Sequence, residues 1–447
     1  MAKILHEIRD PIHTFIRIDQ QERAVVDSRP VQRLRHIHHL AMSYMVYPGA
    51  THRRFEHSLG VMELAGRVYD IVTDEKNLNH EIKDLFPELR NEDQRRYWRR
   101  VLRMAALCHD IGHLPFSHAA ESLLPEGLSS HEQLTKLLIE SDEMQEIWRS
   151  QRPVLVAEDI VKLALGKKEY PEGNFTDWEA ILSEIIVGDS FGVDRIDYLL
   201  RDSHHAGVAY GRFDHHRLID TLRILPQPQA GNGEDRSVEP WLGVQEGGIH
   251  STEALILARY FMYSQVYFHP VRKIYDIHLQ DFLLEFLPSG KFPHDINELL
   301  SYTDNKVLAE MQSIAECSDR GGHFHAVRIM KRKHFKQVYE YNPSDISGGQ
   351  HVGRRLYDAI EREFGGNNVR CFSKDIAPSK GAEFPVMMRD GRVLSSLQKS
   401  QVLNQIPPFK IFNIYSDDPV REKVKEFIEK NLPQIMAEGE EAEDATA

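Results

Sequence analysis

Cysteine is nearly absent from this chain. Cys108, Cys317 and Cys371 are too few and too scattered to form a disulfide framework, which predicts a reducing, cytoplasmic setting. Long apolar runs are absent too. None approaches the roughly 20 residues that span a bilayer, and Met1–Glu7 carries no apolar core of a secretory leader. No membrane partner is expected. Positive charge is in deficit, with 55 Lys and Arg against 68 Asp and Glu, a net charge of −13. Single-stranded nucleic acid is therefore not favoured as a partner, and phosphate binding must depend on local clusters. Part of the acidic excess lies after Met436, in a run of Glu, Gly, Ala and Asp that reads as a disordered tail.

What is present is a globular composition, 41% hydrophobic and 28% charged over 447 residues, enough for two or three domains. Residues 4–19 suggest short strands, residues 20–40 a helix that tolerates Pro30 in its first turn, and residues 57 to about 280 a mostly helical stretch. Pro226, Pro228, Gly231, Gly233 and Pro240 mark a loop between short strands. A long helix is expected from Thr252 to about Phe286, another over 292–316, and β-like runs from 320 onward, with strands at 384–388 and 409–415. Asp418-Pro419 opens a last amphipathic helix through about Leu432. The predicted domains are 1–285, a helical core; 286–432, a smaller α+β lobe; and 433–447, the acidic tail.

The most informative segment is Ala105-Ala106-Leu107-Cys108-His109-Asp110-Ile111-Gly112-His113-Leu114-Pro115-Phe116-Ser117-His118. An apolar helix delivers an imidazole and a carboxylate side by side, then breaks at Gly112 and Pro115. Burying so many polar groups without partners is costly. A divalent metal beside a phosphate substrate accounts for them together. Partners are at hand in His57, within Pro48–Gly60, and Asp194, within Phe191–Asp202. Two imidazoles and two carboxylates suit Fe, Mn, Ni, Co or Zn, and the hard carboxylate oxygens can share Mg²⁺. Arg54 stands three residues before His57, on the same helical face.

These segments resemble the HD-domain superfamily of metal phosphohydrolases. More narrowly, the chain is similar to the deoxynucleoside triphosphate triphosphohydrolases, which include bacterial dNTPases and the HD core of the vertebrate enzyme with a sterile-alpha-motif domain. Asp10–His13, Gln32–Arg35, His131-Glu132, Tyr267–His269 and Tyr302–Asn305 carry further parts of the likeness. The resemblance implies a mainly α-helical HD-domain core with a smaller α+β C-terminal lobe. It implies that His57, His109, Asp110 and Asp194 hold the metal, with Mg²⁺ accompanying the triphosphate. His118 would be the general acid toward the leaving 5′-oxygen. His131 and Glu132 would order the water and metal shell or hold His118 in its working tautomer, and His113 would stand near the phosphates. Arg54 and Arg195 would hold phosphates, Tyr198 would exclude a 2′-hydroxyl, Asp202 would accept the 3′-hydroxyl, and Tyr267 would lie beside base and sugar. Where the family often has Gln-Leu, this chain has His39-Leu40, so the reader of the 3′-hydroxyl is altered.

The same resemblance implies a tetramer activated by GTP, dGTP or a dNTP. Asp27, Gln32, Arg35, Arg332 and Lys336 match one activator pocket, and Arg217 and His269 match a second. Pro270 stands where the vertebrate enzyme has a lysine, which implies an activation that is simpler, weaker or driven by a different ligand. A row of arginines, Arg95, Arg96, Arg99, Arg100 and Arg103, precedes the His-Asp segment and reads as a solvated or interface face. The expected reaction is dNTP plus water giving deoxynucleoside and inorganic tripolyphosphate. The alternatives are an HD phosphodiesterase or nuclease on oligonucleotides or cyclic nucleotides, and a nucleotide sensor without catalysis.

Overall fold

The protein is described from a computed structural model that covers residues 5–227, 239–342, 352–376 and 381–444. Contacts divide it into two compact units. The first is Met1–Tyr263 with Lys291–Val307 and Pro378–Ile406; the second is Ser264–Gly290 with Leu308–Ala377 and Pro407–Ala447. Both are thus assembled from separated stretches of sequence, which the expected boundaries at 285 and 432 do not anticipate.

The first unit opens with an antiparallel hairpin, Leu5–Asp10 against Thr14–Asp19. Asp10 closes its turn by accepting from the backbone N–H of Ile12 and His13 at 2.9 and 2.8 Å. Asp19 caps the helix Gln20–Val26 in a reciprocal box with Glu22. Three helices then build the core. Arg54–Val72 has Leu59, Val61, Met62, Leu64, Ala65 and Val68 buried, with no proline in its span. Glu92–Cys108 starts on an Asn91 cap, and every residue from Val101 to Cys108 is buried. Val193–Ala206 ends at Gly207 in the left-handed conformation. A small sheet runs Leu222–Pro226, Pro240–Gln245, Pro385–Met387, Val393–Ser395 in that order, its middle pair parallel. The expected strands on either side of the 226–240 loop are present, and Pro228, Gly231 and Gly233 lie outside the described residues.

The arginine row on Glu92–Cys108 is a set of ties. Arg96 pairs with Glu92, Arg99 holds Asp70 through two bonds of 2.7 Å, Arg100 meets Asp19 at 2.6 Å, and buried Arg103 meets Glu22 at 2.6 Å.

In the second unit, the helix Pro270–Phe286 packs on His323–Met330. Phe409–Ser416 is the central strand of a sheet, antiparallel to Lys336–Glu340 and Val369–Ile376. Tyr339, Leu356, Ile360, Val369, Ile414, Val424 and Ile428 form its core. Several expectations need correction here. The single helix expected from Thr252 to Phe286 is broken: Ile249–Met262 passes into a π-helical turn at Tyr263–Tyr267, and Pro270 starts a new helix, because proline lacks the N–H that a continuous helix needs. The helix expected over 292–316 is two, Ile296–Ser301 and Asp304–Ala315. Beyond 320, where β-like runs are expected, the helix Val352–Phe364 forms, since Leu356, Tyr357 and Ile360 recur at helical spacing and are buried together. The last helix runs from Arg421 through Pro433 to Asp444. A disordered tail is expected from 433, but alanine, glutamate and methionine are strong helix formers.

The joint that shapes the neighbourhood of the His-Asp segment is Asp304. Fully buried, it accepts from the backbone N–H of His38 (2.8 Å), from His38 Nδ1 (2.7 Å) and from the backbone N–H of Phe116 (2.8 Å). Phe116 and Ser117 both have φ near +58°, a costly conformation for residues with side chains. Asp304→Ala would leave these buried donors unpaired, at about 1–3 kcal/mol each. The expected outcome is a thermal unfolding midpoint several degrees lower, read by calorimetry; an unchanged midpoint would show that Asp304 does not hold this joint.

Candidate metal centre and its surroundings

The His-Asp segment begins where Glu92–Cys108 ends, and it faces the first turns of Arg54–Val72 and Val193–Ala206. His57 Nε2 lies 3.1 Å from Asp194 Oδ1 and 3.6 Å from Asp110 Oδ2; His109 Nε2 lies 3.5 Å from Asp110 Oδ1 and 3.5 Å from Asp194 Oδ1. The side chains of His57, His109 and Asp110 are 0, 5 and 9% exposed, while that of Asp194 is 35% exposed, so the cluster opens on the Asp194 side.

Hydrogen bonds on the far side of each ring decide what faces inward. His57 Nδ1 donates to Asp197 Oδ2 at 2.8 Å, and His109 Nδ1 donates to the Ala106 carbonyl at 2.7 Å. A carboxylate and a carbonyl can only accept, so each Nδ1 carries the proton and each Nε2 presents a lone pair. Both Nε2 atoms are buried without a hydrogen-bond partner. Two bare nitrogens therefore converge on carboxylate oxygens, acceptor against acceptor. A bound cation resolves this, as a proton on a ring does when no metal is present, and the donor atoms of His57, His109 and Asp194 lie within 4.8 Å of one another. The mixed N/O set fits a divalent metal.

Electrostatics point the same way. Burial alone would depress His57, but Asp194 and Asp197 outweigh it and push the imidazole up to about 10. His109 is raised against burial by Asp110 and Asp194. Against burial, Arg54, His109 and His113 hold Asp110 well below the carboxylate range, and His109 and His57 do the same for Asp194. The site favours positive charge at its centre.

A network behind the centre holds it in place. Asp197 is fully buried; it takes His57 on Oδ2, His13 Nε2 on Oδ1 at 2.6 Å, and Arg201 Nε and Nη2 at 2.8 and 2.9 Å. Arg201 Nη1 also holds Asp10 at 2.8 Å. A Cβ at Gly60 would stand 2.0 Å from Asp197 Oδ1, so only glycine lets the helix Arg54–Val72 approach this closely. Sequence reasoning did not single out Asp197 or Arg201. Their signal was the 194, 197, 201 spacing, one face of a helix.

A second group adjoins the first. His113 Nε2 lies 3.2 Å from Asp110 Oδ1, and its ring stacks on His131 at 3.7 Å. Glu121, also missed from sequence, joins His118 Nδ1 at 3.0 Å to His131 Nδ1 at 2.6 Å. Against burial, these two bonds hold Glu121 well below the carboxylate range. Glu132 is 3.4 Å from His131 Nδ1. Burial, Arg54 and His131 hold His113 neutral. His118 is the solvent-facing member. Gly112 makes the arrangement possible, since a Cβ there would stand 2.2 Å from the His131 carbonyl. Arg33 anchors it from beneath, Nη1 to the His113 carbonyl at 2.8 Å and Nε to the Tyr302 carbonyl at 3.1 Å.

The other expected residues fall as follows. Arg54 is buried, with Nη1 on Asp110 and Nε donating to Ser117 Oγ at 2.8 Å, so it neutralises a metal-set carboxylate. Asp202 receives His52 Nε2 at 2.7 Å and has His39 Nε2 at 3.5 Å. Tyr198 is half-buried one turn after Asp194, Arg195 lies near the Gly188 carbonyl at 3.5 Å, and Leu40 is buried. Asp27 ends the helix Gln20–Val26 and meets Arg23 at 3.1 Å; Gln32 bonds the Val26 carbonyl; Arg35 stacks 3.5 Å above Phe55; Arg217 bonds the Gly247 carbonyl. Tyr267, His269, Arg332 and Lys336 belong to the second unit. There the Tyr267 carbonyl accepts from Arg272, His269 caps Pro270–Phe286, Arg332 has φ +54°, and Lys336 Nζ lies 3.3 Å from His334.

Known proteins place this geometry in a lineage. The HD domain pattern matches residues 54–202 and the HD associated region matches residues 213–364. The chain belongs to the HD-domain family. It is 31% identical over 340 residues to the uncharacterized protein MJ1154 of Methanocaldococcus jannaschii, covering 76% of this chain and 61% of that one. It is 30% identical over 395 residues to the deoxynucleoside triphosphate triphosphohydrolase SAMHD1 of Gallus gallus, covering 80% and 59%. The chain thus spans about three fifths of these relatives' length. A crystal structure of a hypothetical protein from Aquifex aeolicus superimposes with a TM-score of 0.76 at 32% identity, covering 94% of this chain and 99% of that one.

Two expectations follow. Asp197→Asn keeps the shape but weakens the orientation of His57; loss of such an outer partner typically lowers metal affinity about 10–100-fold, measurable by chelator competition. Affinity equal to the parent protein's would remove Asp197 from the centre's support. The second concerns pH. With His57 raised to about 10, the metal-free centre holds a proton at neutral pH that the metal must displace. Metal affinity should rise with pH up to about 10, with protons released on binding. Calorimetry in buffers of different ionisation enthalpy checks this, and binding without proton release would contradict it.

Proposed function

We propose that this chain is a metal-dependent deoxynucleoside triphosphate triphosphohydrolase. The observation that carries the reading is the run of side chains along one helix: Asp194 in the metal set, Tyr198 one turn on, Asp202 two turns on. At 1.5 Å per residue the three are spaced about 6 Å apart along the axis. A phosphate near Asp194 would lead a nucleoside along that helix toward Tyr198 and Asp202. The SAMHD1 relatives support a dNTP as substrate.

The residues divide the work. His57, His109, Asp110 and Asp194 would hold Fe, Mn, Ni, Co or Zn, which when bound lowers the pKa of water and neutralises charge on phosphoryl oxygens. Mg²⁺ would travel with the triphosphate. Arg195 and Arg54 direct positive charge to the phosphates. His118, outermost of its group and held by Glu121, would give its proton to the leaving 5′-oxygen. His131, with Glu121 and Glu132 beside it, would supply charge balance. Water adds to the α-phosphorus, the bond to the 5′-oxygen breaks, and deoxynucleoside and tripolyphosphate leave. Asp27, Gln32 and Arg35, with Arg332 and Lys336, and Arg217 with His269, would bind GTP, dGTP or a dNTP as activators of a tetramer.

The test is incubation with each dNTP, alone and with GTP or dGTP, with products separated by chromatography and mass measured by light scattering. Tripolyphosphate is expected. His118→Ala should retain metal yet lose about 10²–10⁴-fold in kcat, the range of a positioned general acid. Pyrophosphate or nucleoside monophosphate as product, or cleavage of oligonucleotides or cyclic nucleotides instead, would replace this reading with an HD phosphodiesterase. Nucleotide-independent rates and mass would remove the regulatory part.

A further inference from the structure

His39 lies in the irregular stretch before Arg54–Val72. An antiparallel bridge between His38 and Arg53 and a 3.0 Å bond from the His39 N–H to the His52 carbonyl fix its backbone. Its side chain is 8% exposed, and its ring lies 4.3 Å from that of His57. Two groups of potential ligands include it. In one, His39, His52 and Asp202 converge; in the other, His39, His57 and Asp110 do, with ligand atoms within 4.8 Å of one another in each.

Donor and acceptor roles separate the two groups. His52 Nε2 bonds Asp202 Oδ1 at 2.7 Å, and His39 Nε2 lies 3.5 Å from the same oxygen. Two N–H groups facing one carboxylate oxygen need no ion. A proton on His39 Nε2 leaves a lone pair on Nδ1, and His39 Nδ1 is buried with no hydrogen-bond partner. Around His57 and Asp110 the available atoms are a bare Nε2 and carboxylate oxygens. The pairing Asp202–His39, at 3.5 Å and sharing its oxygen with His52, is a longer counterpart of the 2.8 Å bond between Asp197 and His57: a carboxylate toward one ring nitrogen and a bare second nitrogen, the pattern that orients metal-ligating histidines.

We infer that His39 is an additional ligand of the metal, bound through Nδ1 and oriented by Asp202. The centre then holds three imidazoles, His39, His57 and His109, beside Asp110 and Asp194. Added imidazole nitrogen shifts preference from Mg²⁺ and Mn²⁺ toward Fe, Co, Ni or Zn. This differs from the sugar-reading role that the sequence suggests for His39, and it rests on the proposed metal centre.

The experiment is X-ray absorption on the Co²⁺-loaded full chain, with Co²⁺ affinity by chelator competition. The wild-type spectrum should require three imidazoles, and His39→Gln should require two, with affinity lower by about tenfold or more. Two imidazoles in the wild-type protein would overturn the inference whatever the variant does; so would affinity within about twofold in a His39→Gln protein whose metal-free melting is normal. His109→Ala separates the two claims. If it binds Co²⁺ like the parent, the metal centre itself is wrong. If it loses Co²⁺ while His39→Gln does not, only the role of His39 fails.

Discussion

The buried contact between Asp197 and His57 is the constraint on which the rest of the site depends. It holds one proton on Nδ1, so that the neutral ring turns the lone pair of Nε2 toward Asp110 and Asp194. Such a carboxylate cannot be buried alone, because removing an ion from water costs several kcal/mol even after relaxation. Arg201, itself fully buried, supplies the countercharge and ties in Asp10 from the hairpin. Arg54 pairs with Asp110 and Arg201 with Asp10 and Asp197, while Asp194 meets His57 and His109. With the imidazoles neutral, the four carboxylates exceed the two guanidiniums by two negative charges, which a dication complements. The scaffold is therefore built for an ion, and the arginines reduce the excess without removing it.

The second histidine group depends on backbone more than on charge. His113 and His131 stack only because Gly112 lets the helix His131–Ile139 come within contact of the loop. The loop makes two left-handed turns at Phe116 and Ser117, and Asp304 and Arg33 hold it from below. Strain of this kind persists where surroundings over-determine it. Glu121 then joins His118 to His131, so a solvent-facing imidazole is coupled to a half-buried one.

The centre was legible because His109-Asp110 is adjacent in sequence and sits at the end of an apolar helix, where its polarity stands out. The network behind it was not. Asp197 and Arg201 look like an ordinary i,i+4 surface pair, and burial, which the sequence does not display, is what changes their meaning. Glu121 was hidden for a different reason: its two partners are three and ten residues away, across a turn that no periodicity predicts. Arg54 carries bonds that its spacing from His57 does not display: the fold ties its guanidinium to Asp110 and Ser117. In the fold, helices with strong apolar repeats were readable; the break at 263–270 and the helix Val352–Phe364 were not, because the first is imposed by Pro270 and the second by packing against a sheet.

The arginine row shows what a charge pattern does not display without its partners. Five arginines read as a solvated or interface face, and Arg96, Arg99, Arg100 and Arg103 each meet a carboxylate, Arg103 inside the core. Arg103 and Arg100 reach Glu22 and Asp19 at the start of Gln20–Val26. They hold the hairpin that contributes Asp10 and His13 against the helix that delivers His109. The basic face thus acts on the metal centre indirectly, by fixing the two elements whose ends meet there.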